Sequence, residues 1–194
     1  MILNEEFLRQ RPSIEFAHSD SREARILNEN NQLYSKSNKY DLFISHSYLD
    51  KKLILNLVEL FNNAGFSVYV DWLNDTHLDR SKVDRETAKL LRSRMDESKG
   101  LAYIATNNIT NSKWCPWELG YADGQTNGKC AILPIMKTSS DKFKGQEYLE
   151  LYPYIDYAKS EKEKYTFWVN DPKDNSKYTS LEDWLAGEEL TSHK

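Results

Sequence analysis

The stretch SKWCPWELGYADG, Ser112 to Gly124, gathers two tryptophans, a tyrosine and one of the chain's two cysteines around a single glutamate. Ordinary helix building does not call for that mixture. Proline is tolerated only in the first turn of a helix, so Pro116 sets the start near Lys113–Cys115. In that register Cys115, Leu119 and Ala122 fall at i, i+4 and i+7, a small apolar stripe suited to packing on a sheet. Trp114, Glu118 and Tyr121 form the neighbouring stripe, which places Glu118 at the margin of the buried face. A carboxylate there is partly desolvated and held in place, so it can stabilise positive charge developing on a reacting group. A lone helical glutamate is more often a solvated surface group. The flanking aromatics are what make Glu118 a candidate. Cys115 reads as packing rather than as a reactive thiol.

Alternating strands and helices must position these groups. YDLFIS (Tyr40–Ser45) is a short apolar run read as a buried strand. Asp50 can cap the next helix, whose Leu53, Ile54, Leu57, Val58 and Phe61 recur at helical spacing until Gly65 stops it. FSVYV (Phe66–Val70), GLAYIA (Gly100–Ala105) and KCAILPI (Lys129–Ile135) read as three further strands. A helix over Lys82–Glu97, with Val83, Thr87, Leu90, Leu91 and Met95 as its buried stripe, separates two of them. The pattern predicts a parallel sheet covered on both faces. Ligands then bind beyond the carboxyl ends of the strands. The residues there are Ser45-His46-Ser47, Asp71-Trp72 and Thr106-Asn107-Asn108. Later in the chain, YIDY suggests a fifth, edge strand and TFWV another, with SLEDWLAG a short helix started by Ser180. Residues 1–38 read as a polar N-terminal arm with one short helix near Ser21–Leu27.

Several functions are disfavoured. The net charge is −4, and lysines are interleaved with acids as in SEKEK (Ser160–Lys164), which argues against a nucleic-acid partner. The longest apolar run, LAYIA, has about five residues against about 20 for a membrane span, and the first residues lack a signal-peptide core. Cys115 and Cys130 make neither a disulfide framework nor zinc spacing, which fits a reducing cytoplasm. No phosphate-cradling glycine motif and no GxSxG elbow occur. Asp75, His77, Asp79 and Glu86 approach calcium-loop spacing, but Arg80 stands where glycine is needed, so no metal site is expected.

Taken together, YDLFISHSYLD and SKWCPWEL resemble the first box and the third-helix motif of the Toll/interleukin-1 receptor (TIR) domain family. The resemblance covers about Tyr40 to Ile135. It implies a three-layer, flavodoxin-like α/β fold with a central parallel sheet of about five strands. The chain then divides into an N-terminal arm (1–38), a TIR domain (39–158) and a C-terminal extension (159–194). Some members of the family are adaptors acting through TIR–TIR contacts. Others cleave NAD at the nicotinamide–ribose bond, and these carry a glutamate matching Glu118 and an aromatic matching Trp114. The resemblance makes Glu118 the catalytic residue and Ser45, His46, Asp71, Trp72, Trp114 and Tyr121 substrate-binding groups. It implies NAD as substrate, no cofactor, and a mobile loop over Trp72–Ser81. Trp117 is a departure that adds bulk inside the motif. Standalone bacterial members of this type act in antiphage defence of the Thoeris kind, sending a nucleotide signal to a separate effector. The competing classes are a non-catalytic TIR scaffold and a nucleoside-processing enzyme of similar form.

Overall fold

A computed structural model describes residues 2–10, 19–78, 83–138 and 147–193. At its centre lie five parallel strands in the order β3 (Val68–Tyr69), β2 (Tyr40–Ser45), β4 (Ser98–Ala105), β5 (Cys130–Met136) and β6 (Tyr154–Lys159). This is the parallel α/β sheet that the alternating pattern predicts. It does not stop at β6. Three antiparallel strands, β7 (Tyr165–Asn170), β8 (Lys177–Ser180) and β9 (Thr191–Ser192), continue it, and β1 (Leu3–Asn4) pairs with β5 at Ile135 and Met136. The YIDY strand is therefore internal and not an edge.

Period-two alternation splits the sheet's side chains between two cores. On one face Leu42, Ile44, Val68, Ala102, Ile104 and Leu133 pack with α3 (Lys51–Asn63), joined by α7 (Leu181–Ala186) through Leu181 and Trp184. On the other, Phe43, Tyr69, Leu101, Tyr103 and Ile132 pack with α5 (Arg85–Asp96) and α6 (Cys115–Gln125). Gly65 ends α3 with φ +94°, a left-handed conformation that glycine alone adopts without strain. Gly100 has another reason: a Cβ there would stand 2.6 Å from the carbonyl oxygen of Lys129, the residue before β5.

Helix α5 begins later than expected. Asp84 caps it by accepting from the Thr87 N–H at 2.8 Å, and Val83 is 68% exposed instead of buried. Lys82 lies outside the described residues. Thr87, Leu91 and Met95 are buried as the periodicity requires, while Leu90 is half-buried. Ser180 caps α7 as expected, accepting from the Asp183 N–H at 3.1 Å.

The N-terminal segment carries far more helix than the short turn expected. α2 runs from Ser19 to Ser37. Few of its side chains are apolar, and tertiary contacts hold it. Ile26 and Asn30 are fully buried. The Asn30 carboxamide accepts from the Val68 N–H and donates to the Val68 carbonyl, both at 2.7 Å. It thereby occupies the outer backbone edge of β3, which would otherwise be an open template for another strand. Arg22 and Arg25 pair with Glu59 of α3. Among the described residues, no helix is long and apolar enough to cross a membrane.

Candidate active site

The carboxyl ends of β2, β3 and β4 bring together most of the residues singled out above. Ser45 is the last residue of β2, and alternation turns its side chain to the Phe43 face, toward α6. There Ser45 Oγ donates to Glu118 Oε2 at 2.6 Å. Both residues are fully buried. The helical register had placed Glu118 at the margin of the buried face. The structure puts it inside, against the end of β2. A carboxylate withdrawn from water needs donors aimed at it, and Ser45 supplies a charge-assisted one.

The rest of α6 follows the predicted register. Cys115, Leu119 and Ala122 are buried against the sheet. The Cys115 thiol donates to the His46 carbonyl at 3.2 Å, so this cysteine ties α6 to the residue after β2. Burial pushes the other thiol, Cys130, up to about 12, which makes it inert packing. Trp114 is the residue before the helix and is 6% exposed. Its ring meets Trp117 edge-on at 5.4 Å, and Trp117 stacks on Tyr121 at 5.9 Å. Trp117, the departure from the motif, is thus a packing link along the outside of α6. Tyr121 is not brought to the strand ends. Its hydroxyl donates to Asp96 at 2.9 Å, at the last turn of α5.

His46 is 2% exposed and both ring nitrogens are engaged. The indole Nε1 of Trp72 lies 3.0 Å from His46 Nε2, and an indole nitrogen can only donate. Nε2 is therefore the acceptor, and Nδ1 carries the proton it donates to the Ile44 carbonyl at 3.0 Å. The imidazole is neutral in this arrangement. Asp71, 3% exposed, lies 3.7 Å from the same Nε2 and accepts from the Trp72 N–H at 2.8 Å. Lys51 sits over the Trp72 ring, 4.4 Å from its centre.

Two further groups were not visible as site residues beforehand. Asp50 holds the expected position before α3 but makes no side-chain cap. Its carboxylate instead accepts from Thr106 Oγ1 and Asn108 Nδ2, both at 2.6 Å, which straps the loop after β2 to the loop after β4. Thr106 and Asn108 are committed to that strap. Asp75, in the loop after β3, accepts a two-pronged pair from Arg94 at 2.9 and 3.0 Å and a third bond from the Tyr69 hydroxyl at 2.9 Å. Burial alone would raise the Asp75 carboxyl, but the Arg94 and Tyr69 bonds outweigh it and hold it below the usual range. Asp75 thereby fixes the root of the loop to α5. Residues 79–82, which include Asp79 of the calcium-like spacing and most of the loop's far end, lie outside the described residues.

This arrangement, a buried glutamate on α6 against the serine that ends β2, agrees with a family match over residues 42–168 to the TIR domain. The chain belongs to the TIR family. Within it, this TIR domain is 45% identical over 155 residues, 79% of each chain, to a Bacillus cereus (strain MSX-D12) protein named "Probable 3' cyclic ADP-D-ribose synthase ThsB'". A second relative, from Cytobacillus dafuensis, is named "Putative cyclic ADP-D-ribose synthase TIR2". It is 37% identical over 95 residues, 48% of this chain and 25% of that one. The matched TIR span includes β2 through most of β7, so it takes in the first antiparallel strand beyond the parallel sheet.

Proposed function

We propose that this TIR domain cleaves NAD at the nicotinamide–ribose bond and joins the ADP-ribose so freed into a cyclic product. The observation that carries the reading is the Glu118–Ser45 pair, a fully buried carboxylate held by a 2.6 Å hydrogen bond at the carboxyl end of the sheet. Nicotinamide in NAD is already a cationic leaving group, so its departure requires no general acid. Ordinary glycosidases need two carboxylates. Here one suffices: Glu118 stabilises the oxocarbenium-like charge that builds on the ribose as the bond breaks. A ribose hydroxyl can take the place of the Ser45 hydroxyl as donor to Glu118. The electrons of the broken bond leave with neutral nicotinamide. A hydroxyl of the same ADP-ribose then attacks the anomeric carbon and gives up its proton to the Glu118 carboxylate, provided water is excluded. Cyclic closure is favoured over hydrolysis by the names of the two relatives and by how little of Glu118, Ser45 and His46 meets solvent.

Trp72 and Trp114 are the flat surfaces on which the rings of NAD stack, and Asp71 faces the ribose. Glu118 is sealed in the isolated chain, so substrate entry requires the groups that cover it to shift. Association of TIR copies supplies that shift in this reading, and the exposed Tyr48 and Leu49 beside the β2 end are suited to such a contact. The product acts on a separate effector in bacterial antiphage defence, in the cytoplasm, where NAD is available and free thiols persist. Residues 1–38 serve as a docked arm and 159–194 as an extension of the sheet.

The test is chromatography of NAD incubated with the protein at high concentration. Wild type is expected to release nicotinamide with a cyclic ADP-ribose as co-product. Glu118→Gln is expected to release at least about 10²-fold less, the size seen when one preorganised charge stabiliser is removed. Nicotinamide release by Glu118→Gln at the wild-type rate would overturn the assignment.

A further inference from the structure

His46 is held at three points, two on its ring and one on its backbone. Its Nδ1–H is used on the Ile44 carbonyl, its own carbonyl accepts from the Cys115 thiol, and its Nε2 accepts from the Trp72 indole. Both ring nitrogens are thus engaged inside the protein, which sets His46 apart from the half-buried Trp72. The next residue back, Ser45, is the one bonded to Glu118. A short chain of contacts therefore runs from the root of the Trp72 loop, through His46, to the buried carboxylate. We propose that His46 is a positioning residue and not a substrate-binding one: its neutral, Nδ1-protonated ring fixes Trp72 beside the strand ends, and proton uptake at Nε2 releases the indole.

The chemistry of the release follows from donor counting. A protonated imidazole has an N–H on both nitrogens, and an indole nitrogen is a donor only. Two donors would then face each other across 3.0 Å, so the contact cannot survive. The new Nε2–H has an acceptor waiting, because Asp71 Oδ1 lies 3.7 Å away. Among the described residues, charged groups on the adjoining elements include Asp71, which opens the helical turn Asp71–Asn74 and lies 3.7 Å from Nε2, Lys51 over the Trp72 ring, Asp50 in the turn before α3, and Glu118 of α6, bonded to Ser45. Cys115 is the thiol that faces His46 from α6. Of these, Asp71 gains from protonation, while Lys51 keeps its hold on the ring and limits how far Trp72 travels. The proposal deepens the NAD-cleaving reading, since Trp72 is a stacking surface only in that reading. The latch itself exists without substrate.

The experiment uses the full chain without ligand first. Nitrogen NMR reports which His46 nitrogen carries the proton, and the Trp72 indole N–H, assigned by its loss in Trp72→Phe, reports protection from water exchange. The expected result is the Nδ1–H form at neutral pH with a protected Trp72 indole, both changing together as the ring takes up a proton. His46→Ala is expected to lose the protection at every pH. In His46→Gln the side-chain amide oxygen occupies the Nε2 position, so protection is expected to persist into acid. An Nε2–H ring at neutral pH, or an indole indifferent to His46 protonation, overturns the latch. A steady-state series then follows over the pH range of the NMR change. KM for NAD is expected to rise roughly two- to ten-fold as His46 protonates, the size of one lost hydrogen bond, with kcat unchanged. Trp72→Phe is expected to show no such step. A coupled NMR titration with a flat KM overturns the role in substrate positioning. Absence of turnover at every pH overturns the NAD-cleaving reading, and the NMR arm still decides the latch.

Discussion

Strand β2 shows two different designs on its two faces. Leu42 and Ile44 point into a core made mainly of aliphatic and aromatic side chains from α3 and its neighbours. Phe43 and Ser45 point the other way, to a face whose core includes Tyr69, Tyr103, Trp114 and Cys115 and whose upper end holds Glu118. Burial is equally complete on both. The difference lies in what the buried groups require of each other. Leucine and isoleucine need only volume, so that face is tolerant of exchange. A buried carboxylate needs a donor at hydrogen-bond distance, so that face fixes positions to a few tenths of an ångström. In the proposed reading the first face contributes stability and the second carries the reaction.

The largest expected effect breaks the first face. Phe61 is fully buried and stacks on Phe167 with ring centres 4.1 Å apart, which ties α3 to the antiparallel part of the sheet. Phe61→Ala is expected to lower unfolding stability by about 3–5 kcal/mol in urea melts, from lost burial and the cavity left behind. Turnover per folded molecule should be little changed. A selective loss of turnover without a stability change would show that the two faces are not separable.

Glu118→Gln is the matching change on the second face. A 10²-fold loss of turnover corresponds to about 2.7 kcal/mol in the transition state. Folding stability should not fall, since the amide can still accept from Ser45 and no longer carries a desolvated charge. Melts of the two variants side by side give the contrast directly.

How far these faces were legible beforehand differs in the same way. Periodicity alone located β2, α3, β4, α6 and β5, because aliphatic burial repeats with the element. It also placed Cys115, Leu119 and Ala122 toward the sheet. It could not show that Glu118 is sealed, because the residue that completes the seal, Ser45, lies on another element far along the chain. Asp50 shows the same limit: a residue before a helix has the composition of a cap, and its turn toward Thr106 and Asn108 depends on a distant loop. α2 was underestimated because its stability comes from Asn30 on the β3 edge and from Glu59, not from an apolar stripe of its own. β6 was misplaced as an edge because the alternation of an edge strand and of an internal one can be identical. His46 was grouped with the site by its place after β2, and Tyr121 by its helical stripe, one turn too far along α6 to reach the strand ends.

A smaller effect sharpens the comparison at the loops. Asp50→Asn keeps the shape of the strap between the β2 and β4 loops but leaves one of its two donors without an oxygen to meet. A loss of about 1–3 kcal/mol is expected, as for a hydrogen bond to a buried charge. If the strap sets the spacing between Ser45 and Glu118, kcat falls more than KM rises. An equal fall in stability with unaltered kcat would place Asp50 with the structural face instead.

The smallest effect concerns the polar clasp that adds α2 to the first face. Burial alone would raise the Glu59 carboxyl, but the bonds from Arg25 and Arg22 outweigh it and hold it below the ordinary glutamate value. The folded chain therefore binds this proton more weakly than the unfolded chain does. The resulting stability is fully present above the unfolded value, near about pH 4.3, and is lost as pH falls through the folded value. Glu59→Gln should cost about 0.5–1 kcal/mol at neutral pH, the upper range for a partly exposed ion pair. That difference from wild type should shrink to nothing in acid, where both chains carry a neutral side chain. Urea melts at the two pH values measure it. A difference that persists in acid would mean that the arginines hold α2 by hydrogen-bond geometry and not by charge. The clasp would then belong with the position-demanding design of the Glu118 face, although it sits on the other side of the sheet.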